Sequence, residues 1–238
     1  MATKNVRVPF QMGQISNQAK RGWTVRVNGE EIEGVESLEI ESPKFGTVRY
    51  GQHPAGYDTW VFDELGGGGA VTIPYMIHPI NGMLYVGVVE QNRPLLGRRI
   101  WEVPRGFMDP SDKDKAATAL REALEELGYE FSQPIKLADG KNPNSTFFDT
   151  SGEDEGVAFF GLSVTASALI ETKDSYAFPA IVQEAAKGDG CERIYGSKFI
   201  PVSRILYSPD LFSAAAGFYL LQYLQKKTAA AVLYGEDL

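Results

Sequence analysis

The sequence is short of the residues from which disulfides and histidine-centred sites are built. Of 238 residues one, Cys191, is a cysteine, which excludes a disulfide within the chain and fits a reducing, cytoplasmic setting. The two histidines are His53 and His78. They read as structural or surface residues, because no nucleophile-and-base pattern surrounds them or Cys191. No run approaches the roughly 18 to 20 apolar residues that a membrane helix needs, and the opening MATKNVRVPF offers no apolar core of a secretion signal. Asn144-Ser145-Thr146 matches the glycosylation sequon, but without such a signal it reads as a chance match. Positive charge is also scarce: 23 Lys and Arg stand against 31 Asp and Glu, a net charge of −8. That balance argues against broad binding to nucleic acid or to anionic membranes. An acidic protein that handles a phosphate compound must supply positive charge locally, through a metal and a few arginines. Gly66 to Gly69 lack the Lys-Ser/Thr that completes a P-loop, and read as a junction or a place of close backbone packing.

The chain does have material for a core: 43% of its residues are apolar and 11% aromatic, in a length suited to one large domain or to one domain with a smaller partner. Residues 1 to 20 are polar and patternless. Short alternating segments follow from residue 21 to 63. Trp23 to Val27 and Glu30 to Glu33 flank Asn28-Gly29, a pair suited to a type I′ hairpin turn; then come Ser37 to Ser42, Thr47 to Tyr50 and Asp58 to Phe62. So small an antiparallel unit struggles to bury a core alone. Ala70 to Ile77 and Met83 to Val89 are near-continuous apolar runs about Asn81-Gly82, predicting two central strands buried on both faces. Further strands are predicted at Phe131 to Leu137, Glu155 to Val164 and Lys198 to Val202, with helices at Pro179 to Lys187 and Leu211 to Lys227.

The most informative stretch is Gly106 to Tyr129, a glycine-led acidic loop followed by a helix-forming run. At helical spacing Ala116, Ala119, Leu120, Ala123, Leu124 and Leu127 fall on one side, which predicts the packing face; Glu122, Glu125 and Glu126 fall together on the other. Glu122 and Glu126 are an i,i+4 pair of acids, while Glu125 has Arg121 one turn earlier. Such a face is either plainly solvated or a set of carboxylates for a hard divalent cation, which takes carboxylate and phosphate oxygens together. Gln91-Asn92-Arg93, with Arg98 and Arg99 close behind, reads likewise in two ways: a solvated basic loop, or a clamp whose guanidinium grips a diphosphate.

The order of apolar strand, EQNRP, WEVPRG, acidic loop, REALEEL helix and LGY resembles the Nudix hydrolase family, whose box reads G-x5-E-x7-R-E-U-x-E-E-x-G-U with U aliphatic. Gly106, Arg121, Glu122, Ala123, Glu125, Glu126 and Gly128 match it, with Tyr129 at the last aliphatic place. The loop is one residue longer: the first Glu of the box falls on Asp112 counting forward from Gly106, and on Lys113 counting back from Arg121. A weaker likeness to the ADP-ribose and nucleoside diphosphate sugar pyrophosphatase subgroup runs from about Val61 to Leu224. The resemblance implies that Glu122, Glu125, Glu126 and the backbone carbonyl of Arg105 bind Mg²⁺ or Mn²⁺, and that Arg121 holds Glu125 in place. Through the subgroup's Gln-x-Arg it implies that Arg93 reaches substrate, with Arg99, Glu102 and Glu155 as further candidates for substrate contact. Ser151 to Glu155 partly matches a subgroup loop ending in S-D-E. Members often take a general base from a mobile loop before the last strand, where Glu192 is the first candidate and Glu184 the second, with Glu155 a further one.

The expected architecture is therefore α/β: a Nudix α/β/α sandwich with a mixed sheet over residues 64 to 238, preceded by a small antiparallel β domain over residues 1 to 63. In the subgroup an N-terminal sheet helps form a homodimer, and a homodimer is expected here, without nucleic-acid or membrane partners. The expected activity is metal-dependent hydrolysis of the diphosphate bond of ADP-ribose or a nucleoside diphosphate sugar, giving a nucleoside monophosphate and a sugar phosphate. Two alternatives stand beside it. One is another Nudix substrate, such as a nucleoside triphosphate, a dinucleoside polyphosphate or coenzyme A; the other is a catalytically inactive nucleotide-binding regulator, suggested by the longer loop.

Overall fold

The computed structural model describes residues 26–27, 30–31, 38–42, 46–52, 58–64, 68–93, 97–138, 156–183 and 193–234. The chain divides into two compact units, Met1–Gly68 with Lys141–Gly156, and Gly69–Gly140 with Val157–Leu238. Within the first, β1 (Arg26–Val27) and β2 (Glu30–Glu31) pair antiparallel, Val27 opposite Glu30, leaving the two-residue connection that Asn28-Gly29 predicts. A separate antiparallel sheet holds β3 (Leu38–Ser42), β4 (Gly46–Gln52) and β5 (Asp58–Glu64) in that order.

The second unit is built on one mixed sheet. Its strands are β6 (Gly69–Ile77), β7 (Leu84–Arg93), β8 (Arg98–Glu102), β9 (Arg105–Phe107), β10 (Ile135–Ala138), β11 (Ala158–Ser163), β12 (Ile170–Glu171), β13 (Tyr176–Ala177) and β14 (Ile194–Pro201). The main path runs β10-β11-β6-β7-β14-β13-β12, with β8 on β7 and β9 on β6. The β6–β11 pairing is parallel and the rest antiparallel. The apolar runs are central as expected, and β6 is buried at every position except Ile77. Strand alternation sends its side chains to two layers. Val71, Ile73 and Tyr75, with Val86 and Val88 of β7, pack with Ile205, Ala216 and Leu220 from α3 (Val202–Ile205) and α4 (Leu211–Tyr234). Ala70 and Met76, with Val89, face the opposite layer, to which α1 (Lys115–Leu127) contributes Ala119, Ala123 and Leu127. Each fully buried Val or Ile contributes roughly 1.5 to 3 kcal/mol, so this double burial is the main stabilising term of the unit. Among the described residues no helix is long and apolar enough to cross a membrane.

Several boundaries differ from expectation, each for a local reason. β7 runs on to Arg93, because its second half forms a hairpin with β8, from Val89 opposite Glu102 to Arg93 opposite Arg98. Only Ile135–Ala138 of the segment predicted from Phe131 is strand; Phe131 instead packs its ring edge-on against Tyr129 and Phe178. β14 begins earlier than predicted, at Ile194, with a register shift between Ile194 and Gly196. α4 continues to Tyr234, its TAAAVLY end holding no helix breaker. Of the helix predicted over Pro179 to Lys187, Ala180–Gln183 is observed as α2, and the remainder lies outside the described residues.

Candidate functional site

The loop before α1 is shaped by its own acids. The Asp109 carboxylate accepts from the Ser111 amide at 2.8 Å and hydroxyl at 2.7 Å, and Asp112 accepts from the Asp109 amide at 2.9 Å. Asp114 is the N-cap, accepting from the Ala117 amide at 2.9 Å; the helix stops at Gly128, whose φ of 69° lies where a side chain is disfavoured. α1 is rotated relative to the expected packing face. Leu124 is 46% exposed, whereas Glu122 is 9% and Glu126 3% exposed, and the buried stripe is Ala119, Glu122, Ala123, Glu126 and Leu127. This stripe has i, i+3, i+4, i+7, i+8 spacing, so the helix turns two carboxylates toward the sheet and leaves a leucine in water.

Room for these carboxylates comes from the strands beneath. A Cβ on Gly106 of β9 would overlap the Glu122 carboxylate, so the backbone itself forms a cradle there. On β7 the buried Gln91 donates from Nε2 to Glu126 Oε1 at 2.9 Å. Arg121 reaches across the other side. Its Nη1 meets Glu122 Oε1 at 2.7 Å and Glu125 Oε2 at 3.2 Å, while Nη2 donates to the Phe107 carbonyl at 2.8 Å and to Asp112 Oδ2 at 3.0 Å. Arg121 thus ties the loop, β9 and both acids together, rather than Glu125 alone. Desolvation by burial opposes it, but Asp112 and Glu122 beside the guanidinium raise its pKa well above the ordinary value. Burial would raise Asp112, but Arg121 and the Asp109 amide hold it below the usual carboxylate range.

A second cluster adjoins along β7, β8 and β9. Arg93 pairs with Glu102 through Nη2 and Oε1 at 2.5 Å, and Arg105 approaches Glu102 Oε2 at 3.5 Å. Glu102 is 1% exposed; desolvation raises its pKa, with Arg105 and Arg93 pulling it back. Arg105 also pairs with Asp210 Oδ1 at 2.7 Å and lies over the Phe212 ring. Arg99 is on a different face, stacked over Tyr195 at 3.4 Å and 3.9 Å from Glu90. The structure therefore groups Arg121, Glu122, Glu125 and Glu126 about α1 and links Arg93, Glu102 and Arg105 by ion pairs, but does not bring Arg99 into either group. Glu155, Glu184 and Glu192 lie outside the described residues. Sequence reasoning missed the roles of Gln91 and Asp210. Gln91 carried a signal, a polar residue in an apolar strand two places before Arg93 and so on the same strand face; Asp210 carried none beyond a helix-capping position.

Among the described residues no group of three or more Asp, Glu, His or Cys side chains is placed to hold a metal ion. A site completed by water and substrate needs fewer protein ligands. Mg²⁺ commonly takes one or two protein carboxylates and completes its shell with water and substrate phosphate, and Glu122, against Gly106, and Glu126, one turn on beside Gln91, would supply that number.

With this geometry in place, the comparison with known families is decisive for the fold: residues 81–179 match the family model for the NUDIX domain. The second unit has the Nudix fold. The match covers β7 to β9, α1 and the strands up to β13. No curated protein matches the chain. Among solved structures, the NUDIX domain of Shewanella oneidensis NrtR complexed with ADP ribose is 15% identical, covering 68% of this chain and 87% of that one at a TM-score of 0.39. A mutT/nudix family protein from Listeria innocua is 16% identical, covering 69% and 97% at 0.45. An ADP compounds hydrolase is 12% identical, covering 81% and 93% at 0.48.

Proposed function

We propose that the Nudix unit hydrolyses the diphosphate bond of ADP-ribose or a nucleoside diphosphate sugar, in a reaction dependent on Mg²⁺ or Mn²⁺. The observation that carries this reading is the burial of Glu122 and Glu126 against the sheet, Glu122 over Gly106 and Glu126 beside Gln91. Two acids one turn apart in a half-dry site repel each other, and a divalent ion would add to what Arg121 and Gln91 already give them. Glu122 and Glu126 would hold the ion, with the Arg105 carbonyl as a backbone ligand and Glu125 at the solvent edge. The ion would supply charge neutralisation on the diphosphate and acidify the attacking water. Gln91 orients the Glu126 carboxylate, and Arg121 fixes Glu122 and Glu125 against the loop.

Water adds across the P–O–P bridge, one phosphoryl group taking the hydroxide and the other leaving as the second phosphate. The products are a nucleoside monophosphate and a sugar phosphate. A loop glutamate takes the water's proton, with Glu192 the first candidate and Glu184 or Glu155 the others. Arg93 would meet the diphosphate from beside Glu102, its charge countering what builds on the phosphoryl oxygens. The preference for ADP-ribose and nucleotide sugars rests on the Gln91-Asn92-Arg93 pattern and the preceding β unit. In the test, Glu126→Gln should lower turnover at least a hundredfold with the melting temperature held within a few degrees; activity equal to wild type would remove Glu126 from the site.

A further inference from the structure

We infer that Asp210, at the start of the C-terminal helix, is a positioning residue for the metal-binding edge of this site, an inference that rests on the proposed function. The segment Glu102 to Gly106 must be set accurately, because it delivers the Gly106 cradle to Glu122 and the neighbouring Arg105 carbonyl to the site. Backbone pairing holds one side of it: the Thr72 amide donates to the Pro104 carbonyl at 2.9 Å, and Arg105 and Gly106 sit opposite Val71 and Ala70. The opposite side is held by the first turn of α4. Asp210 Oδ1 receives Arg105 Nη1 at 2.7 Å, while its Oδ2 accepts the Ser213 amide at 2.9 Å and hydroxyl at 2.6 Å. Ser213 Oγ, fully buried, in turn accepts the Val103 amide at 3.0 Å.

One carboxylate therefore anchors both ends of the three-residue segment Val103–Arg105, Val103 through Ser213 and Arg105 directly. It does so with opposite oxygens, so the two anchors are fixed relative to each other. Ionised Asp210 also balances the charge of Arg105, which otherwise has buried Glu102 as its described acidic partner and shares it with Arg93. If Asp210 loses its charge, Arg105 shifts toward Glu102 and takes the Arg105–Gly106 peptide with it. The effect reaches the α1 carboxylates through the backbone, although Asp210 touches neither metal nor substrate.

Asp210→Asn tests this, because asparagine retains the helix cap while giving up the charge on Arg105. Direct Mn²⁺ binding, read by the loss of the free-ion electron spin resonance signal, is compared in wild type and variant alongside kcat and KM. The expected result is a half-saturating Mn²⁺ concentration raised about tenfold, a lowered kcat, a KM for ADP-ribose changed less than threefold, and partial recovery of kcat at high Mn²⁺. Asp210→Glu, which keeps the charge, should recover most of the Mn²⁺ affinity. Unchanged Mn²⁺ binding in a folded Asp210→Asn protein, or a loss that Asp210→Glu shares in full, overturns the inference alone. A wild-type protein that binds no Mn²⁺ overturns the proposed function, and this inference with it.

Discussion

At Gly106 a hydrogen stands where any other residue would drive a methyl group into the Glu122 carboxylate. Because that obstacle is the end of a flexible side chain, Gly106→Ala is expected to displace the acid more than the fold. Mn²⁺ affinity and turnover should fall at least tenfold while the melting temperature drops only a few degrees; a variant with wild-type affinity would show that the cradle is not needed. Asp112 is the other residue whose role the structure defines. The resemblance left it as one of two matches to the first acid of the box, and here it is bonded to Arg121 through both oxygens, at 3.2 and 3.0 Å. Its folded pKa lies below the unfolded one, so its stabilisation is present above about pH 4 and lost as pH falls through the folded value. The gap in melting temperature between wild type and Asp112→Asn should be widest above about pH 4 and narrow as the solution is acidified below it. A gap that is constant across this range would mean that the charge on Asp112 contributes nothing.

Among the elements, α1 shows what the sequence could and could not convey. Its extent, its N-cap at Asp114 and its stop at Gly128 follow from local chemistry, and the glutamates on which the proposed site draws can be read in REALEEL. The orientation was not legible, because hydrophobic patterning assumes that charges face water. Here two carboxylates go inward and Leu124 goes outward, since the helix docks over a glycine backbone with room for acids. Leu124→Ser is accordingly expected to cost less than about 0.5 kcal/mol in denaturant unfolding, whereas Ala123→Leu, which overfills a fully buried contact with the sheet, should cost about 1 to 3 kcal/mol. The reverse ranking would restore the packing face that simple periodicity suggests. The Arg105–Asp210 and Val103–Ser213 contacts were equally hidden: their partners are 105 and 110 residues apart, and nothing local to either end requires the other. Central strands were readable for the opposite reason, as burial on both faces leaves a continuous apolar run.

At the scale of the whole molecule, the described arginines of the proposed site each stand beside a carboxylate. Arg93 and Arg105 share Glu102, and Arg121 shares Asp112, Glu122 and Glu125. Under the proposed function, such arginines would let a protein with a net charge of −8 meet a diphosphate with directed donors rather than a diffuse basic surface. That proposal would also place the burden of charge neutralisation on a divalent ion, which makes metal dependence its central claim. The most direct measurement is release of nucleoside monophosphate from ADP-ribose and from ADP-, GDP- and UDP-sugars by the full chain, with Mg²⁺, with Mn²⁺ and with excess chelator. Hydrolysis of at least one of these compounds with either ion, abolished by chelator and restored by returning the metal, is the predicted result. Equal hydrolysis in the presence of chelator, or none of any compound by the folded protein, would contradict the account.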